Sequence, residues 1–305
     1  MKTLPARVII FSLLCWSVHA RSAEQIDVFL DSVIGPMNHS GSGFLVGAFS
    51  MDEPSDELFL PLKTQRVRGR PDYIESVYKR CLKHNISIEV ICTNQRYWKK
   101  IHQKNDFEAF EQHFEDIVER MLNLGLKGLD YCVFLDSDVP WMNWDEASEP
   151  YFLEAYARAY NVIKKADPQA KIVGPSSHWA PDTWWWDDHE GDHTWFMRRF
   201  IDYSLENQCV PDLISWHDYS CDGTGITRDA ADIRNYLKKK GLPDLPLVQD
   251  DLGCKNSQFR PGTFVSYMAN IERAQIRYTN KCCWDRDCGG ETLQGMLTKK
   301  TRKPR

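Results

Sequence analysis

Two short acidic clusters each close an apolar run, which is where side chains able to do chemistry tend to be presented. One is Asp136 and Asp138 within Leu135-Asp136-Ser137-Asp138-Val139-Pro140, and the other is Asp250 and Asp251 after Leu247-Val248-Gln249. Between them lies Ser215-Trp216-His217-Asp218-Tyr219, and Arg68 ends an earlier run, Gln65–Arg68. Two carboxylates facing one cleft suit glycoside hydrolysis, in which one protonates the leaving oxygen and the other attacks the sugar carbon or activates water. Arg68, His217 and Tyr219 would add hydrogen bonds, while Trp141, Trp144 and Trp284 offer apolar faces to sugar rings. The same letters also describe solvated or helix-capping aspartates, so spacing alone leaves both readings open. Asp218 and Asp251 read as solvated neighbours.

A second pattern competes. His189-Glu190-Gly191-Asp192-His193 has the letters of the HExxH zinc-peptidase motif. That chemistry needs both imidazoles on one face of a continuous helix. Gly191 in mid-motif weakens a helix, and Asp187-Asp188 before it reads as a loop or helix start, so a polar surface loop is the better description. Trp184-Trp185-Trp186, with Trp179 and Trp195, fits either an outer sugar subsite or loop packing.

The elements that would position these residues alternate along the chain. Short β-branched runs at Gly43–Ser50, Gln65–Arg68, Ile86–Cys92, Gly128–Leu135, Lys171–Pro175, Leu213–His217, Leu245–Gln249 and Ile276–Trp284 predict strands. Helical spacing predicts helices over Tyr73–His84, Phe107–Leu124, Tyr151–Ala166, Thr194–Asn207, Ala230–Lys240 and Phe264–Ala274. Strands alternating with helices of this length argue for parallel βα units. Eight such units in one domain predict an α/β fold, a (β/α)8 TIM barrel, which presents its chemistry where the strands end. No helix is legible after the eighth strand, so the barrel is expected to lack its last helix. The basic tail Lys299–Arg305 reads as solvated charge.

Composition narrows the setting. The 305 residues carry 38 Lys+Arg against 43 Asp+Glu, a formal charge of −5. That sign gives no footprint for nucleic acid. Met1–Ala20 reads as a secretory leader, with Lys2 and Arg7 before the apolar Val8–Trp16 and small residues at Val18-His19-Ala20. Its removal leaves 36 basic residues against 43 acidic ones, hence −7. No stretch is long enough to span a bilayer. The expected organisation is therefore leader 1–20, an N-terminal segment 21–42 and a barrel over 43–305, in a secreted, extracellular protein. Nine cysteines outlast the leader: Cys81, Cys92, Cys132, Cys209, Cys221, Cys254, Cys282, Cys283 and Cys288. Export makes disulfides their default state, with at least one thiol left over. Asn38-His39-Ser40 and Asn85-Ile86-Ser87 are glycosylation sequons.

At these same strand ends the sequence resembles glycoside hydrolase family 39, a retaining clan A family, over roughly residues 43–305. The family's fourth strand ends in Trp-Asn-Glu-Pro, often followed by Asp-Leu-Pro, and Phe134-Leu135-Asp136-Ser137-Asp138-Val139-Pro140 matches it. That register puts Asp136 on the acid/base Glu, and a slip of one or two residues would put Asp138 there. Val173-Gly174-Pro175 matches the fifth strand, His217 and Tyr219 the His-x-Tyr of the sixth, and Gln249-Asp250 the Thr-Glu of the seventh. The resemblance thus implies Asp250 as nucleophile, His217 and Tyr219 as its orienting partners, Arg68 as support for the carboxylate and Trp284 as the floor of the reactive subsite. It implies an oligosaccharide or polysaccharide substrate and no metal or organic cofactor. Both Glu positions hold Asp, and Leu135 replaces the Asn that contacts the sugar 2-hydroxyl. Each shortened side chain withdraws its carboxyl from the sugar, and a misplacement of about 1 Å can cost roughly a hundredfold in rate. A weakened hydrolase is one expectation, and a glycan-binding protein that has lost turnover is the other.

Overall fold

The computed structural model describes residues 37–45, 55–93, 99–100, 106–137, 149–178, 195–220, 222–253 and 260–282. The chain divides into a short unit, Met1–Met37, and a large one, Asn38–Arg305. The large unit is a closed barrel of eight parallel strands in sequential order. These are β1 (Gly43–Leu45), β2 (Arg66–Gly69), β3 (Ser87–Ile91), β4 (Asp130–Cys132), β5 (Lys171–Ser177), β6 (Leu213–Asp218), β7 (Leu247–Leu252) and β8 (Tyr278–Cys282). Helices α1 (Asp56–Phe59), α2 (Pro71–Lys83), α3 (Phe107–Asn123), α4 (Glu149–Ala166), α5 (Trp195–Glu206), α6 (Gly225–Lys239) and α7 (Pro261–Arg273) follow β1 to β7 in turn. No helix among the described residues is long and apolar enough to cross a membrane. The expected (β/α)8 architecture is what the chain forms.

The helices arise where apolar residues recur every three or four positions. On α3, Phe107, Phe110, Phe114, Ile117, Val118 and Met121 are all buried. Its first turn is capped by the Asp106 carboxylate, which accepts from the Ala109 N–H at 3.2 Å. Pro71 and Pro261 each open a helix, where a missing N–H costs nothing. Sequence reading starts both helices too late and misses the short α1, whose four residues are too few to show a period.

Strand alternation sorts the barrel into an outer and an inner layer. Val67, Ile88, Val90, Tyr131, Val133, Ile172, Ile214 and Trp216 join the large apolar cluster with the helices. The alternate residues point inward and are strongly polar. Arg66, Arg68 and Glu89 have no exposed side-chain surface, and Arg66 bridges Glu89 at 2.8 Å and Asp130 at 2.5 Å. Arg68 reaches Glu89 at 2.7 Å, and Asn280 donates to Glu89 at 3.4 Å. Small apolar groups fill the remaining interior, notably Cys132, Val173, Leu213 and Val248. The barrel closes tightly between β1 and β8: a Cβ at Gly43 would lie 1.9 Å from the Thr279 carbonyl oxygen, so only glycine fits there.

Four of the nine cysteines depart from the disulfide expectation: Cys81, Cys92, Cys132 and Cys209 are buried free thiols. Burial pushes the Cys81 thiol up to about 12 and that of Cys209 up to about 11, which keeps both protonated and unreactive. They pack as small apolar side chains. Residues 283–305, where the missing last helix was expected, lie outside the described residues.

Among the described residues Glu89 is the only carboxylate to bridge both interior arginines, so its removal leaves Arg66 and Arg68 short of countercharge. Glu89→Gln is expected to cost about 3–5 kcal/mol, the usual penalty for breaking a buried pair. Urea denaturation followed by tryptophan fluorescence checks this, and a loss under about 1 kcal/mol would show that Asp130 and Asp250 suffice.

Candidate active site

The C-terminal ends of β4 to β7 converge on one hydrogen-bonded cluster. Asp136 follows β4 with a backbone in the left-handed region, φ 54°. Aspartate enters this region more readily than most non-glycine residues, and here two histidines hold its carboxylate. His178, just past β5, places Nδ1 2.8 Å from Asp136 Oδ1, and His217 of β6 places its Nδ1 3.1 Å from the same oxygen. A carboxylate only accepts, so both imidazoles donate.

His217 is the hub. Its Nε2 lies 3.2 Å from the Ser176 hydroxyl, which also accepts from Arg68 Nη2 at 2.9 Å. Its Nδ1 lies 2.9 Å from the Tyr219 hydroxyl oxygen, and that hydroxyl donates to Asp251 Oδ2 at 3.0 Å. A continuous path therefore runs from Arg68 through Ser176 and His217 to Asp136, with a branch through Tyr219 to Asp251.

The two aspartates of β7 occupy different surroundings. The ladder slips between β6 and β7, pairing Trp216 with Gln249 but His217 with Asp251. This irregularity lets consecutive aspartates both reach the site side of the strand. Asp250 is fully buried on Arg68, which donates to its backbone carbonyl at 3.1 Å and to Oδ2 at 3.3 Å. Asp251 retains 9% exposure and lies against Tyr219. Asp218 and Asp251, read from sequence as solvated, are both buried. The Asp218 carboxylate accepts from the Ser220 N–H at 2.7 Å and so holds the turn after β6.

Titration follows from these contacts. Burial raises the Asp136 carboxyl, but hydrogen bonds from His178 and His217 outweigh it and hold the group well below the usual carboxylate range. Burial lowers His217, yet its bond to Asp136 leaves it raised overall. Asp250 is pushed up to about 6 by burial; Arg68 pulls it back and Glu89 pushes it further up. Among the described residues, two interior arginines face three carboxylates, Glu89, Asp130 and Asp250, so burial of the last keeps its proton on to a higher pH than for an ordinary aspartate. Burial likewise raises Asp251, partly offset by His217 and Arg68.

Of the residues expected from sequence, Arg68, Asp136, His217, Tyr219 and Asp250 come together here. Trp141, Trp284, Asp138 and the His189–His193 run lie outside the described residues, as does the Trp184–Trp186 triplet. Leu135 packs with Leu45 and Ile91. Ser176, His178 and Asp251 were not expected. The first two were hidden because β5 was ended at Pro175, two residues short of its true end.

No family model matches the sequence. No curated protein matches it either. Solved structures do match, and they define the class by fold. A protein from Neocallimastix frontalis superposes with a TM-score of 0.66 at 20% identity, covering 81% of this chain and 61% of that one. The chain thus spans about three fifths of that protein's length. A family 5 broad-specificity endoglucanase from Clostridium longisporum gives 0.61 at 13% identity, covering 88% of this chain and 93% of that one. A family 39 β-xylosidase from Caulobacter crescentus gives 0.58 at 12% identity, covering 88% and 70%. The barrel is therefore one shared with glycoside hydrolases, including enzymes of family 39. At these identities the likeness is one of fold.

The raised Asp250 has a consequence for stability. A group that binds its proton more tightly when folded contributes stability at low pH and loses it as pH rises through the folded value. For Asp250 that window runs from its ordinary 3.8 to about 6. Asp250→Asn imitates the protonated form, so the variant's thermal midpoint is expected to gain on the native protein's across this window. Calorimetry at half-unit pH intervals checks this, and a native protein that instead gains on the variant would contradict it.

Proposed function

We propose that the chain acts on an oligosaccharide or polysaccharide as a glycoside hydrolase. The observation that carries this reading is a pair of carboxylates from opposite strands, Asp136 after β4 and Asp251 on β7, joined through His217 and Tyr219 at the C-terminal mouth of the barrel. In this reading Asp136 exchanges the proton of the leaving oxygen and a β7 carboxylate attacks the sugar carbon. The resemblance of Gln249-Asp250 to the Thr-Glu of family 39 selects Asp250 for the attack. Exposure and the Tyr219 hydrogen bond favour Asp251, with Asp250 deeper, fixing Arg68. Arg68 and Ser176 orient His217, Trp141 and Trp284 are assigned to the sugar subsites, and no organic cofactor is required. Asp136 accepts a proton only after a bound sugar loosens its two imidazole donors, so turnover is slow.

Release of chromophore from a panel of aryl glycosides tests this. Asp136→Asn is expected to lower kcat by about 10²–10⁴-fold, the usual contribution of a general acid. Asp251→Asn should abolish turnover while Asp250→Asn retains it, and the reverse result would return the nucleophile to Asp250. The clamped state of Asp136 specifically favours a second reading, a glycan-binding protein without turnover. Folded protein that binds glycans but cleaves none of the panel would establish that reading.

We also propose that the protein is secreted. The leader-like Met1–Ala20 supports this, and so do the sequon residues Asn38 and Asn85, which are both exposed. Expression in a eukaryotic host should place the chain in the medium with glycans at these positions. Asn38→Gln and Asn85→Gln should each remove one enzyme-sensitive step in electrophoretic mobility, and retention of unglycosylated chain inside the cell would refute the proposal.

A further inference from the structure

Asp136, His178 and His217 supply three ligand atoms that converge on one point, and from this geometry we infer a binding site for a divalent ion of the zinc class. The inference does not depend on the glycan reading. All three atoms lie within 4.8 Å of one another, and the two Nδ1 atoms stand 2.8 and 3.1 Å from Asp136 Oδ1. Metal–ligand bonds of about 2.1 Å place neighbouring ligand atoms about 3.0 Å apart at right angles and about 3.4 Å apart at tetrahedral angles. The two spacings to Asp136 Oδ1 lie near the first of these values, and the third pair of ligand atoms lies within 4.8 Å. Two imidazoles and one carboxylate are the donor set that borderline divalent ions favour, and three protein ligands leave coordination positions open.

The supporting contacts are those of a built site. The ligands lie on or just past the ends of three adjacent strands, β4, β5 and β6. His217 is 1% exposed, and Ser176, itself fixed by Arg68, holds its Nε2 so that Nδ1 faces Asp136. Such an outer hydrogen bond sets the ring's orientation and tautomer. Beside the cluster, Asp251 Oδ1 has no hydrogen-bond partner among the described residues although the carboxylate is buried. A water on the ion is a suitable donor to it. Because the ion takes Asp136, the candidate acid, metal loading and glycoside hydrolysis exclude each other.

Calorimetric titration of the full-length protein with Zn²⁺ alone, together with visible absorption on adding Co²⁺, tests the site. One ion per chain is expected, with cobalt bands in the visible. His178→Ala, at a partly exposed position, should weaken Zn²⁺ by more than about a hundredfold, because loss of an outer partner alone costs about 10–100-fold. Asp136→Asn should do the same, and Ser176→Ala should fall within that 10–100-fold range. His189→Ala and His193→Ala should leave the affinity unchanged. The inference is overturned if folded native protein takes up no Zn²⁺, or if uptake is indifferent to His178→Ala and lost in the His189 variant. None of these outcomes requires turnover of a sugar, so failure of the hydrolase reading leaves the result interpretable.

Discussion

Arg68 must be satisfied where no bulk water reaches it, and that requirement organises the centre of the barrel. Its guanidinium meets Glu89 of β3, the Cys132 sulfur of β4, Ser176 of β5 and both the carbonyl and carboxylate of Asp250 on β7. An unpaired buried cation would cost several kcal/mol, so each of these strands is held in register by the same charge. Barrel interiors are ordinarily layers of branched apolar side chains. This one gives part of its interior to ion pairs, which specify which atoms sit beneath the mouth.

The site inherits its character from that charge arrangement. Glu89 and Asp130 largely neutralise the two arginines, which leaves Asp250 as surplus negative charge in a dry place. Its raised pKa is the direct result. Asp250 is therefore better suited to holding Arg68 and the floor of the site than to attacking a sugar, and the irregular β6–β7 pairing supplies Asp251 in front of it. The same arginine reaches the upper cluster through Ser176, so His217 is held from inside the barrel.

Much of this is legible in the amino-acid sequence, and the part that is not has specific causes. All eight strands and the six long helices could be read because buried apolar residues repeat at periods near 2 or 3.6. Arg68, Asp136, His217 and Tyr219 could be found because each ends an apolar run. Helix α1 is too short to carry a period. His178 and Ser176 were missed because β5 continues through Ser176, at φ 55°, where the polar letters imitate a loop. The choice between Asp250 and Asp251 depends on a register slip between two strands, and pairing leaves no trace in one strand's own letters. Free Cys81, Cys92, Cys132 and Cys209 were misread because export predicts disulfides, whereas burial decides the state of each thiol.

The aspartate at position 136 brings these constraints together. An aspartate is one methylene shorter than the glutamate of the family that the sequence resembles, and the left-handed backbone at this residue accompanies its carboxylate's contacts with His178 and His217. A hydrogen bond to a charged group contributes about 1.5–3 kcal/mol. Loosening even one of the two to protonate Asp136 would raise the barrier by that amount, and 1.36 kcal/mol is tenfold in rate. In the hydrolase reading proposed above, the clamp alone would slow hydrolysis by roughly ten- to more than a hundredfold, before any loss from the withdrawn position of the carboxyl. A site optimised only for proton transfer would not tie its acid to two imidazoles. One that also holds a cation, or that recognises a glycan without cleaving it, incurs no such penalty, because an ionised and fixed Asp136 is then the useful state.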